Sequence, residues 1–141
     1  MIPTQDRPGT EPRFEAPEIR GRAEVPAIPE LRAQVVAYAE QAGAGGLVVE
    51  NLRLAVSEAI TNCVVHAYPD PPPGDVTVKA WVGDDRELVV VVLDDGAGFR
   101  AAPANPGLGI GLGVMAEVSD SLAVSTRDGR PGTAVTLRFG L

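Results

Sequence analysis

Glu58, Asn62 and His66 recur at every fourth residue within Leu54-Ala-Val-Ser-Glu58-Ala-Ile-Thr-Asn62-Cys-Val-Val-His66. At helical pitch this spacing lines them along one flank, beside an apolar face made of Leu52, Ala55, Val56, Ala59, Ile60, Cys63 and Val64. A carboxamide can offer a neutral oxygen to a hard cation such as Mg²⁺, which keeps most of its waters and takes few protein ligands. A carboxylate one turn earlier can take a proton from an attacking hydroxyl. A solvated helix face would look the same. His66 is the chain's single histidine, so it suits hydrogen bonding or packing at a helix end better than sharing a metal.

Two further stretches carry chemistry. Asp94-x-Gly96-x-Gly98 follows the most apolar run of the chain. A carboxylate there can accept a hydrogen bond from an exocyclic amine, and two glycines let the backbone turn away beneath a flat ring. Asp-Gly is also a hairpin signal, but the following Phe99-Arg-Ala-Ala-Pro-Ala-Asn-Pro does not read as a paired strand. Gly107, Gly109, Gly111 and Gly113 fall at every second residue, as expected of a loop whose backbone N–H groups approach an anion at a helix start. A plain flexible loop remains open. A P-loop is excluded because no Gly-x4-Gly-Lys-Ser/Thr occurs, and Gly109-x-Gly111 lacks the spacing and preceding strand of a dinucleotide fingerprint.

The elements that must hold these residues follow from periodicity. Phe14 to Val25, with Pro17, suits an edge strand, and residues 1–13, rich in proline and polar groups, read as a flexible tail ahead of one domain spanning 14–141. Leu31, Val35, Tyr38 and Ala42 mark a helix over 28–41, ended by Gly43-Ala-Gly45-Gly46. A central helix runs from about Leu47 to Ala67, antiparallel to the first. The period then shortens. Val76 to Val82 alternates, Leu88 to Leu93 reads as a strand buried on both faces, a loop covers 100–106, and the glycines lead into a short helix around Val114–Val118. Strands at 122–126 and 133–139, joined by a hairpin at Asp128-Gly129, complete the chain. The order predicts an α+β two-layer sandwich, with a mixed, mostly antiparallel sheet and about three helices on one face.

Composition narrows the function classes. A net charge of −7 without any basic run argues against nucleic acid or an anionic membrane as the main partner. No stretch approaches the apolar length of a membrane helix and no signal pattern opens the chain, so a cytoplasmic protein is expected. Cys63 falls on the apolar helix face and reads as an ordinary buried thiol.

Taken in order, Glu-x3-Asn on a helix, Asp-x-Gly-x-Gly after a strand, a glycine-rich stretch opening a helix, and Gly132-Thr133 on the last strand resemble the GHKL superfamily of ATP-binding domains with its Bergerat-type fold. Ser57-Glu-Ala-Ile-Thr-Asn62-Cys-Val-Val-His66-Ala-Tyr68 is most similar to the anti-sigma-factor serine/threonine kinases. The resemblance implies ATP and Mg²⁺ as cofactors, Asn62 as the metal ligand and Glu58 as the general base. Asp94 would recognise the adenine amine, with Gly96 and Gly98 shaping the pocket and Thr133 supporting it. Gly107, Leu108, Gly109, Ile110 and Gly111 would wrap the phosphates beneath a lid at 99–106, and His66 would join the nucleotide-contacting set. Implied partners are an anti-anti-sigma factor, phosphorylated on serine, and a sigma factor bound by a homodimer. The lid departs from the pattern: eight residues separate Gly98 from Gly107, with Arg100 as their only cation. A nucleotide-gated binding module without kinase activity is therefore the alternative. The absence of a phosphoacceptor domain sets a detached histidine-kinase domain behind both.

Overall fold

The computed structural model describes residues 16–97 and 106–141, and residues 106–109 by their backbone alone. The tail at 1–13, Gly98 and the lid up to residue 105 lie outside the described residues. Five strands, β1 (Glu18–Arg22), β2 (Asp75–Val82), β3 (Glu87–Asp94), β4 (Ser121–Thr126) and β5 (Thr133–Gly140), form one sheet in the order β1-β2-β3-β5-β4. Every pairing is antiparallel, so the parallel component allowed by a mixed sheet is not used. Three helices, α1 (Ala27–Gln41), α2 (Gly46–Asn62) and α3 (Pro106–Val118), complete the α+β architecture, with a single π-helical turn at Cys63–Ala67 extending α2.

Local chemistry explains these limits. Pro26 and Pro29 stand at the start of α1, where backbone N–H groups lack intrahelical acceptors and their loss costs little. The helix closes when the N–H of Ala44 donates to the carbonyl of Ala39 at 2.9 Å, a wrapped-back cap. In β2, Val76, Val78, Ala80 and Val82 are buried while the intervening side chains are not. Their buried face meets Leu52, Val56, Ala59 and Ile60 of α2 in a core of Val, Leu, Ile and Ala. On β3 the second face is only partly covered: Val89 is buried but Val91 and Leu93 are half-buried. A two-layer fold leaves that face without helices.

The sheet order adds what the sequence reading did not address: β5, the last strand in the chain, inserts between β3 and β4 and places Thr133 directly opposite Asp94. One feature differs from that reading. The glycines at 107, 109, 111 and 113 are not a loop before a helix, because α3 already begins at Pro106. Each interior glycine costs about 0.8–1 kcal/mol of helix propensity, and packing offsets it: α3 lies on α2 and buries Met115 completely.

Candidate functional site

The site is built around the end of α2, which packs on α3 on one side and reaches the end of β3 on the other. Glu58 and Asn62 lie on one flank of α2, both half-buried. Gly111 packs directly against them: a Cβ at that position would sit 3.0 Å from Glu58 Oε2 and 3.4 Å from Asn62 Oδ1. Any side chain at 111 would crowd these two oxygens. Hard carboxylate and carboxamide oxygens one helical turn apart suit a cation such as Mg²⁺ that keeps most of its waters. A helix starting at Pro106 also leaves the N–H groups of Gly107 and Leu108 without intrahelical acceptors, which are donors suited to an anion. Ile110 is 71% exposed, and His66, half-buried, lies in the π turn.

Asp94 ends β3 and is buried, with 7% of its surface exposed. Burial raises its carboxyl above the usual range, while the N–H of Gly96, the Cys63 thiol and the N–H of Thr133 draw it back. Gly96 N–H donates to Oδ1 at 2.9 Å, and Cys63 Sγ donates to Oδ2 at 3.7 Å. The carboxylate is held from both sides and keeps accepting capacity for one more donor, as recognition of an exocyclic amine requires.

The turn that follows is tied down at several points. Ala97 N–H donates to the carbonyl of Ala67 in the π turn at 2.8 Å. That approach requires glycine at 96, since a Cβ there would lie 2.1 Å from the same oxygen. Asp95 N–H donates to the Tyr68 hydroxyl at 2.8 Å, and the hydroxyl donates to the Asp75 carbonyl at 2.6 Å. From the opposite side, Arg127 pairs with the Asp95 carboxylate and donates to the Asp94 carbonyl at 3.3 Å, while Arg130 reaches Asp95 Oδ1 at 2.8 Å.

The expected residues thus form two groups. Glu58, Asn62 and Gly111 are together at one end, and Asp94, Gly96 and Thr133 at the other. Sequence reasoning missed Cys63, Tyr68, Asp95, Arg127 and Arg130 as parts of the second group. Cys63 is buried as expected, but its thiol also contacts Asp94; burial first, then that carboxylate, raise its pKa and keep it a neutral donor. Arg127 and Arg130 flank the Asp128-Gly129 turn, and their charge beside a hairpin was the available signal.

The histidine kinase-like ATPase domain family matches residues 21–139. The chain belongs to this family. An anti-sigma F factor of Caldanaerobacter subterraneus subsp. tengcongensis is 31% identical over 117 residues, covering 75% of this chain and 80% of the relative. The serine-protein kinase RsbW of Bacillus subtilis is 33% identical over 124 residues, covering 74% and 77%. The crystal structure of the RsbU and RsbW domains of a Mycobacterium tuberculosis protein matches 89% of this chain with a TM-score of 0.67 at 23% identity. It shares the fold, and the chain spans 32% of that larger protein. The GHKL resemblance read from Glu58 to Thr133 is therefore a family membership, and the ATPase domain implies nucleotide use.

Proposed function

We propose that the chain is an ATP-dependent serine/threonine kinase of the partner-switching type, an anti-sigma factor that phosphorylates a serine of its anti-anti-sigma antagonist. One observation carries the reading: Glu58 and Asn62 stand together against the bare backbone of Gly111, while a buried, hydrogen-bonded Asp94 contacts Cys63, the residue after Asn62. The relatives, an anti-sigma F factor and a serine-protein kinase, support the same function.

In this reading Asp94 accepts the adenine amine, and Thr133 and Gly96 fix the carboxylate that does so. Asn62 would hold Mg²⁺, which when bound offsets the charge of the phosphates. Glu58 accepts the proton of the substrate serine as its oxygen attacks the terminal phosphoryl group. The N-terminal turn of α3 donates backbone N–H groups to the phosphates. A cytoplasmic homodimer that also binds a sigma factor completes the proposal, and the exposed edge strand β1 supports pairing between copies.

Transfer of label from ATP to the purified anti-anti-sigma factor tests the proposal. Glu58→Gln should lower transfer by about 10²- to 10⁴-fold and leave ATP affinity unchanged. Undiminished transfer would overturn the base assignment. ATP binding by the parent protein without any transfer would favour a nucleotide-gated binding module, the reading suggested by the short segment between Gly98 and Gly107.

A further inference from the structure

Two clefts flank α2 and share one residue, Leu54. The first, about 420 Å³, lies between α1 and α2 around Arg32, Glu50, Asn51, Arg53, Leu54 and Ser57, two guanidinium groups against one carboxylate. Arg32 Nη1 donates to Ser57 Oγ at 2.9 Å, and Ser57 Oγ donates to the Arg53 carbonyl at 2.6 Å. Arg32 thus rests on a neutral hydroxyl, and among the described residues Arg53 pairs with Glu50 alone, at 4.0 Å on an exposed surface where such a pair adds little. Two guanidinium groups are available to an anion there.

The second cleft, about 470 Å³, is a groove between α2 and α3 lined by Leu54, Ile110, Gly113, Val114, Glu117 and Val118. Its lining is mostly apolar yet open: Ile110 is 71% and Leu54 45% exposed. Leu54 is one helical turn before Glu58, and Ile110 precedes Gly111, which abuts Glu58 Oε2. The cationic cleft and the apolar groove therefore meet at Leu54, next to the proposed base.

We infer that this composite surface receives the acceptor segment of the protein substrate, seating an acidic residue on Arg32 and Arg53 to one side of the acceptor serine and an apolar side chain in the Leu54–Ile110 groove to the other. The inference rests on the kinase reading. A hydroxyl that loses its proton to Glu58 must come within hydrogen-bond reach of it, and neighbouring residues of an extended chain are only about 3.3–3.6 Å apart along it. Leu54, one turn before Glu58 on α2, is within reach of the residues next to the serine in such a segment. Charge complementarity selects its acidic side: in a chain of net charge −7, two guanidinium groups beside an apolar groove form a local exception. The exposed Leu and Ile select the other side.

Steady-state phosphorylation of the anti-anti-sigma factor by variants outside the nucleotide site tests the inference. Leu54→Asp and Arg53→Glu should each raise KM for the protein substrate by about tenfold or more, with kcat and ATP affinity held within about twofold. Replacing the acidic residue near the acceptor serine by lysine should restore efficiency to Arg53→Glu and lower it for the parent. Unchanged KM in both variants, with the parent active, would overturn the inference and leave the kinase reading standing. So would a change of sedimentation in place of KM, which would assign the groove to a second copy of the chain. Absence of transfer by the parent would reject the kinase reading and, with it, this occupant.

Discussion

The proposed adenine end and the proposed phosphate end of the site are built differently. Around Asp94 the turn is fixed by Gly96, Cys63, Tyr68, Arg127 and Arg130, and by the close approach of Ala97 to Ala67. Around Glu58 and Asn62, no hydrogen bond to either side chain is recorded among the described residues, and their neighbour is the bare backbone of Gly111. A pocket for a rigid ring gains from preorganisation, because ordering it during binding would reduce affinity. A phosphate and metal site gains from oxygens left free for the ligand, since hydrogen bonds already made would have to be broken.

The largest break in this contrast should come from Gly96→Ala. With a Cβ 2.1 Å from the Ala67 carbonyl, the turn must move. ATP binding should fall below detection by calorimetry, and the fold should lose about 2–3 kcal/mol in denaturant titration. Retained affinity would show that the turn is not preformed.

Asp94→Asn should separate stability from binding. The folded carboxyl has a pKa above its ordinary value of 3.8, chiefly through burial, so the folded state holds this proton more tightly than the unfolded chain does. Its contribution to stability is full below the unfolded value and is lost as pH rises through the folded one. At neutral pH the ionised group therefore opposes folding. The amide should raise Tm of the nucleotide-free protein while ATP affinity falls about 10- to 100-fold, the worth of a hydrogen bond to a charged group. A lower Tm would contradict the burial argument.

Arg127→Ala tests the outer clamp with a smaller effect. Because the pair with Asp95 is partly solvent-exposed, its loss should lower ATP affinity by only about three- to tenfold. Arg138→Ala, which removes a comparable pair with Glu87 elsewhere on the sheet, should leave ATP affinity unchanged. Equal effects from both would reduce the clamp to general stability.

The phosphate end was the more legible in the sequence, and the reason is geometric. Glu58 and Asn62 share one helix, so a four-residue spacing suffices to bring them together. The adenine end draws on α2, β3 and the β4–β5 hairpin; Arg127 and Asp95 are 32 residues apart, and no local period connects them. Asp94 and Gly96 were readable because a strand end and a sharp turn leave a sequence signature. The α+β order was readable from the change of period, but the insertion of β5 between β3 and β4 was not, since alternation gives a strand's faces and not its neighbours. The glycines misled on α3 for a related reason: helix propensity is local, whereas the packing of Met115 and Gly111 on α2 is tertiary.

Calorimetry of ATP and GTP binding, each with and without Mg²⁺, tests the contrast most directly when the parent is compared with Asn62→Ala. Preference for ATP over GTP should persist without metal and in the variant, because the adenine end is already formed. Enhancement of ATP affinity by Mg²⁺ should be present in the parent and absent in Asn62→Ala. Equal affinity for ATP and GTP, or the same Mg²⁺ enhancement in both proteins, would contradict the account.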